Sequence, residues 1–528
     1  MAGSDQARSA RSSSALESLA REPLDVLIVG GGIVGAGVAR DAAMRGLRVA
    51  LIEQADFAFG TSSRSSRLLH GGLRYLAQGR VKLVREASRE KRVLGRIAPH
   101  LAQPLAFIFP TRRHTPWARW KLAIGTKVYD LLCGTSSNFG RSSVLSRDES
   151  LRRLPALSAE KLTGAVRYFD ALTNDARLVI DTLRSAARQG AQVFNYVRLD
   201  GSESINGQWR CELSDTDTHE RHVVSARAVV NATGPWSDRI PNAHTSLRLT
   251  KGVHLVIDRS RLPAPDAVVM AEGSRILFAI PWGERLILGT TDTDYDGPLD
   301  SPTCDPADVE YVLDATNRTF PAAQLSPDDV LSTWAGLRPL VADPQGNPSD
   351  ISRRHEIAMS GPGWWDITGG KLTTYRLMAE EAVSAIAQHI GPGRTRCRTA
   401  EAPLLDASDT LNVSGILPPP ITRDVVQHYC RREWVRHLDD VMIRRTNWRY
   451  YHREHLEIAA QASRWMAEEL AWGTDEIGAE LEHYRRLVGA DAATTQHWST
   501  RGNGRVPFGV RSSPAEAAAV DAPPLSKR

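Results

Sequence analysis

Apolar and polar positions are spaced in three different ways along this chain, and each spacing predicts a different kind of element. Val26–Val29 is an unbroken β-rich apolar run, the pattern of a strand covered on both faces of a parallel sheet. A glycine-rich turn, an apolar helix and a second strand, Arg48–Ile52, follow it. The same texture returns in a helix over Leu178–Arg188 that ends at Gly190, a strand over Gln192–Arg198, and a strand over Ala226–Gly234 that runs into a tight turn. Between Leu247 and Leu340 the runs shorten and alternate. His254–Ile257, Ile276–Ile280 and Leu286–Leu288 read as strands separated by Pro and Gly turns. Trp365–Gly370 and a helix over Thr373–His389 restore the first texture. From about Glu401 the period is helical, clearest in Glu457–Glu469 and Glu476–Leu487.

A chain of 528 residues exceeds what one core usually supports, so several domains are expected. The patterns predict an α/β protein with a discontinuous nucleotide-binding domain over about 23–105, 160–246 and 350–400. An antiparallel-rich α+β substrate domain is expected over about 106–159 and 247–349, and a C-terminal helical domain over 401–500. Residues 1–22 and 501–528 are expected to be disordered tails.

The run from Asp25 to Glu53 carries the most chemistry. Gly30 permits a tight turn, Gly32 lets backbone approach a pyrophosphate, and Gly35 lets the helix pack close to the strand. The helix N-terminus supplies free N–H groups and a favourable dipole, so the phosphates need no lysine. Glu53, at the end of the second strand, stands where an acid accepts hydrogen bonds from a ribose hydroxyl, and it disfavours a 2′-phosphate. The segment Gly60–Leu76 is a polar loop leading into a helix that carries Arg74 and Tyr75, and such a segment can lie along a dinucleotide.

Charged residues make up 24% and hydrophobic residues 42%, which excludes a fibrous or wholly disordered chain. Five cysteines without a CxxC pair fit a reducing cytosol better than a disulfide framework. The N-terminal residues lack the apolar core of a secretory signal, while their Arg and Ser content leaves an organellar transit peptide open, against which Asp5 and Glu17 count. The longest apolar stretch, Val26–Ala39, is too short to cross a bilayer. A net charge of +5 is small for this length, so nucleic acid is not an expected partner and anionic small molecules or lipid headgroups suffice. Asp292, Asp294, Asp296 and Gly297 imitate the start of an EF-hand, but Thr303 occupies the twelfth position, so no metal is expected. Trp117, Trp120, Ile124, Val128 and Leu131 recur at helical spacing among Arg119, Lys121 and Lys127, which suits either an anionic membrane interface or core packing.

The motifs GGGIVGAGVARDAAMRG, TSSRSSRLLHGGLRYL, NATGPW, KGVHLVI, IPW, GTTD, GLRPL and GGKLTTYRLMAE occur in order from about Pro23 to Ala402. This chain resembles the FAD-dependent glycerol-3-phosphate dehydrogenases. The resemblance extends more loosely to LDDVMIRRT and MAEEL near the C-terminus. It implies a glutathione-reductase-like and D-amino-acid-oxidase-like FAD-binding Rossmann domain, a substrate domain and a helical cap. It also implies oxidation of sn-glycerol 3-phosphate to dihydroxyacetone phosphate, with electrons passing from FAD to a quinone at the cytoplasmic face of a membrane. A homodimer is compatible with it. Two departures stand out. Only a short Pro-containing link spans Leu405 to Ile421 where relatives have a longer helical start, and Thr173-Asn174-Asp175 precedes Ala176-Arg177-Leu178 where the family commonly has two aspartates.

By the resemblance, Arg74, Arg338, Arg353 and Lys371 match positions that surround substrate, with Tyr75 and His254 close by. Converging guanidinium and ammonium groups suit a phosphate dianion. His254 and His70 are the candidate acid–base groups because imidazole titrates near neutrality, with Arg338 and Lys371 also among the catalytic candidates. For FAD the matching positions are Gly30, Gly32, Gly35 and Glu53 on the ADP half, and Thr61, Ser62 and Ser63 near pyrophosphate and flavin. Val197 matches the adenine side, and Gly234, Leu372 and Thr373 the second edge and the isoalloxazine end. Three other readings remain open. The acceptor can be oxygen, the chain can be an amine or amino-acid oxidase whose pocket holds a carboxylate rather than a phosphate, or it can be a flavin-binding scaffold without turnover.

Overall fold

The computed structural model describes residues 16–496, except 73–75, 77–79, 116, 134–139, 273–274, 342–354 and 392–395. Two large sheets organise these residues. The first is built on β1 (Leu24–Val29), flanked in parallel by β2 (Val49–Glu53) and β10 (Arg221–Asn231). Parallel strands β7 (Gln192–Asn195) and β18 (Trp364–Gly369) extend it, and β17 (His355–Gly361) closes one edge antiparallel to β18. A meander of β8 (Val197–Ile205) and β9 (Gln208–Asp215) hangs from β10.

The unbroken apolar run in β1 has a direct cause. Val26 and Ile28 face one core with helices α1 (Ile33–Met44), α4 (Asp175–Arg188) and α6 (Tyr375–Ile390), while Leu27 and Val29 face another with Trp209 and Trp364. Parallel sheets covered on both faces require this. Leu16 and Leu19 are fully buried in the second of these cores. Residues 16–22 therefore depart from the expected disordered tail, because two leucines one helical turn apart find an apolar face.

A second correction concerns the strand expected over Gln192–Arg198. It is two strands: Tyr196 sits at φ +58° and turns the chain from β7 into β8. Alternation does not reveal this break, since tyrosine is itself a good strand former.

The second sheet is antiparallel apart from the pairing of β12 (Ala267–Glu272) with β4 (Gln103–Arg112). The short β3 (Leu68–Leu69) and β5 (Ser143–Leu145) pair with β6 (Leu162–Leu172) beside β4. At the other end, β11 (Leu247–Asp258) is the spine. It pairs with β14 (Arg285–Gly289) and β15 (Thr293–Asp294) on one side and β16 (Val330–Val341) on the other, while β13 (Arg275–Trp282) links β14 to β12. Helices α3 (Arg119–Cys133) and α5 (Pro306–Thr319) complete this half, and α2 (Val81–Ile97) bridges the halves, with Val84 in the second core and Val93, Leu94 and Ile97 in the first.

The C-terminal helices α7 (Arg423–Arg432), α8 (His455–Leu470) and α9 (Thr474–Gln496) share one core with the second sheet, in which Val426, Tyr429 and Met466 join Val256, Ile280, Trp282 and Trp334. A π-helix, Asp440–Arg445, packs them against the first half. Arg445 Nη1 and Nη2 donate to Asp56 at 2.6 and 2.8 Å, and Arg177 donates to both carboxylate oxygens of Glu433 at 2.6 and 2.9 Å. Removing one partner of such buried pairs costs about 3–5 kcal/mol.

Candidate active site

A cavity of about 620 Å³ lies where the C-terminal ends of β1 and β2 meet the face of β11 and β16. Open α/β sheets bind ligands outside the carboxyl ends of their strands. Its floor is the turn between β1 and α1. Gly30 has φ +112°, and a side chain there would begin 2.6 Å from the Ala232 carbonyl oxygen. At Gly35 a Cβ would lie 1.9 Å from the Gly30 carbonyl oxygen, so only glycine lets the helix start this close to the strand. Gly32 caps α1 and lines the cavity. These features fit a pyrophosphate held by backbone.

Glu53 also lines the cavity, and its carboxylate organises the turn: Oε2 accepts from Gly31 N–H at 2.8 Å and Oε1 from Ala55 N–H at 3.0 Å. Burial pushes its pKa up against those two bonds. Each oxygen retains a lone pair for a ribose hydroxyl. Ser62 Oγ accepts from Ile33 N–H at 3.0 Å, and Thr61 Oγ1 donates to the Leu337 carbonyl at 2.6 Å, tying the loop after β2 to both halves. Thr61, Ser62, Val197, Gly234, Leu372 and Thr373 all line the cavity. Gly35 and Ser63 stand behind the lining, Ser63 buried. Arg74, Tyr75 and Arg353 lie outside the described residues.

At the far end the cavity brings together His70, His254, Arg338 and Lys371 from four separate segments. His254 projects from β11, is 2% exposed, and has Nε2 2.8 Å from Ser66 Oγ. Its ring stacks on Trp334 at 5.2 Å and 20°. Burial, then the charges of Arg338 and Arg67, lower its pKa to about 3. The imidazole is thus neutral at physiological pH, a correction to the near-neutral titration expected from residue type alone. Arg338 donates from Nη1 to Asp292 Oδ1 at 3.0 Å and from Nη2 to Thr290 Oγ1 at 3.0 Å. The Asp292–Asp296 run that imitates an EF-hand thus presents carboxylates to arginines, since Asp294 likewise binds Arg248 at 2.6 and 2.8 Å. His70 is held through backbone: its N–H donates to Thr373 Oγ1 at 3.1 Å.

Sequence reasoning missed Ser66, Arg67 and Trp334 as parts of this site. Ser66 and Arg67 lie inside the motif TSSRSSRLLHGGLRYL, but nothing in linear spacing distinguishes them from their neighbours.

The model of the family described as FAD dependent oxidoreductase matches residues 25–376. The aerobic glycerol-3-phosphate dehydrogenase of Staphylococcus aureus strain USA300 is 39% identical over 386 residues, covering 71% of this chain and 69% of that protein. The chain belongs to the FAD-dependent glycerol-3-phosphate dehydrogenase family. A solved member of that family, the glycerol-3-phosphate dehydrogenase from Bacillus halodurans complexed with FAD, aligns with a TM-score of 0.73 at 28% identity, covering 92% of this chain and 98% of its own. The L-α-glycerophosphate oxidase from Mycoplasma pneumoniae shares the fold at 17% identity and TM-score 0.57, covering 71% of this chain and 97% of its own. FAD is the cofactor, and the glycine turn, Glu53 and the 60–63 loop are the groups here that fit it.

Proposed function

We propose that this protein oxidises sn-glycerol 3-phosphate to dihydroxyacetone phosphate and passes the electrons to a quinone in a membrane. The observation that carries the reading is the convergence of Arg338 and Lys371 with a buried His254 in the same cavity as the dinucleotide turn. Two cations suit a phosphate dianion, whereas the carboxylate of an amino acid needs only one. Arg74 and Arg353 join them in this proposal. The 39% identity to the staphylococcal enzyme supports the same substrate.

FAD, when bound, supplies the two-electron acceptor for the C2 hydride. The protein's own groups do the rest. Arg338 and Lys371 hold the phosphate, fixing the distance from it to C2 and its hydroxyl. The hydroxyl proton passes to Ser66 Oγ as Ser66 gives its own proton to His254 Nε2, 2.8 Å away. A base with a pKa near 3, lowered chiefly by burial, is weak, but a bound dianion beside Arg338 offsets that residue's share of the shift, so substrate raises the imidazole's proton affinity.

The quinone reading draws on α3. Trp120, Ile124 and Leu131 are 64, 58 and 73% exposed along one face, with Lys127 among them and Lys121 beside Trp120. An apolar stripe edged by lysines suits an anionic bilayer interface. No helix among the described residues is long and apolar enough to cross a membrane.

The test is anaerobic mixing of FAD-loaded protein with sn-glycerol 3-phosphate while following the oxidised flavin band. Bleaching is expected, and a soluble quinone analogue should restore the band faster than oxygen does. Faster recovery with oxygen would make the protein an oxidase. No bleaching would reject the substrate.

A further inference from the structure

Arg67 is fully buried, at φ +56°, and no carboxylate pairs with its guanidinium among its hydrogen bonds in the described residues. Its guanidinium carbon lies 4.2 Å from the centroid of Trp282 and 4.9 Å from that of Trp334. Nη2 donates to Asn447 Oδ1 at 2.5 Å, while Nε and Nη1 are buried without a hydrogen-bond partner. A buried cation is normally paired, because desolvation costs several kcal/mol. Here two indole faces and one amide oxygen stand in for the counter-ion, a cation–π arrangement that is strongest when water is excluded.

The column continues into the cavity. The face of Trp334 stacks on His254, so the order is Trp282, Arg67, Trp334, His254. Its first three members are anchored by the C-terminal part of the chain: Trp282 Nε1 donates to the Ile416 carbonyl at 3.0 Å, Asn447 holds Arg67, and the Tyr450 ring packs 5.2 Å from Trp334. Trp334 Nε1 donates to the Ser65 carbonyl at 3.2 Å, next to the Ser66 that meets His254.

We propose that Arg67 is a positioning residue for His254: clamped between Trp282 and Trp334, it holds the imidazole face-on and supplies the buried positive charge that excludes a second one beside it. Residues 416–450 thereby reach the reacting end of the cavity through this column. The charged and titratable groups around His254 are consistent with this. Arg338 approaches from β16, already bound to Asp292; Arg67 approaches through Trp334; Asp175 at the start of α4 and the Tyr450 hydroxyl act on Arg67. His70 and Lys371 line the same cavity. Without a full counter-charge, Arg67 keeps its field on His254, which burial and Arg338 also disfavour as a cation.

The role of His254 in turnover rests on the function proposed above, but its charge state is measurable without substrate. Holoenzyme carrying ¹³Cε1-labelled histidine is titrated by NMR, with His254→Gln assigning the signal among the 15 histidines. In the native protein the His254 signal should remain that of neutral imidazole down to pH 5. In Arg67→Met, which keeps sulfur–aromatic packing, the midpoint should rise by about one unit or more. Asn447→Asp, which gives Arg67 a carboxylate in place, should raise it too, while Arg67→Lys should leave it unchanged. A native signal that titrates near 6.5, or no movement in either Arg67→Met or Asn447→Asp, overturns the assignment. The same samples are mixed anaerobically with sn-glycerol 3-phosphate. If the native flavin stays oxidised while the titrations behave as expected, the substrate reading fails and the Arg67 assignment stands.

Discussion

A carbonyl oxygen 1.9 Å from where a side chain at Gly35 would begin leaves that position to glycine, and it is the kind of constraint a single residue imposes on a whole site. Glu53 imposes another, because one carboxylate holds the turn through Gly31 and Ala55 and faces the cavity. Glu53→Ala is expected to weaken FAD binding roughly tenfold to a hundredfold, from the loss of charge-assisted bonds of about 1.5–3 kcal/mol. The flavin-to-protein ratio after gel filtration checks this, and full occupancy would contradict it. His254 yields a pH prediction. Its pKa is lowered to about 3 in the free site, and a bound phosphate dianion offsets Arg338, so the acidic limb of kcat should lie at higher pH than that of kcat/KM. Coincident limbs would remove His254 from the proton transfer. The glycine and acid spacings were legible in the sequence because they are local. The lowered pKa of His254 was not, because the burial that chiefly lowers it and the charges of Arg338 and Arg67 come from elsewhere in the chain.

Among the elements, α3 separates two readings that sequence left even. Leu122 and Tyr129 turn into the core while Trp120, Ile124 and Leu131 point out. An exposed apolar face and a core-packing face therefore coexist on opposite sides of one helix. Replacing Trp120 and Leu131 together by glutamate should abolish co-sedimentation with anionic vesicles at low salt and leave anaerobic flavin reduction unchanged. Retained sedimentation would transfer docking to another surface. The strand break at Tyr196 shows the opposite limit of sequence reading. Its hydroxyl donates to Asp440 at 2.7 Å, so the turning residue is also held by a helix more than two hundred residues away.

At the scale of the whole molecule, the C-terminal helices are tied to the first sheet by charge. His437 is bound by Glu480 at 2.7 Å and lies 3.6 Å from Asp217, beside Arg436 on Asp215 and Asp217. Burial opposes its charge, but Asp217 and Glu480 outweigh it and raise its pKa to about 11. A histidine raised in this way stabilises the fold fully below its ordinary pKa near 6.5, and that contribution is lost as pH rises toward 11. Denaturant midpoints at pH 7 and pH 10.5 should therefore diverge more in the native protein than in His437→Gln, and equal divergence would reject the link. The sequence by itself determined the nucleotide turn, the class of each sheet and the helical C-terminus, because glycine sterics and hydrophobic periodicity act over a few residues. Only the tertiary structure decided that Arg338 meets Asp292, that Arg67 lies between two tryptophans, and that His254 is buried beside them. Those facts depend on burial and on long-range Coulomb terms, which exist only once distant segments have packed and water has left.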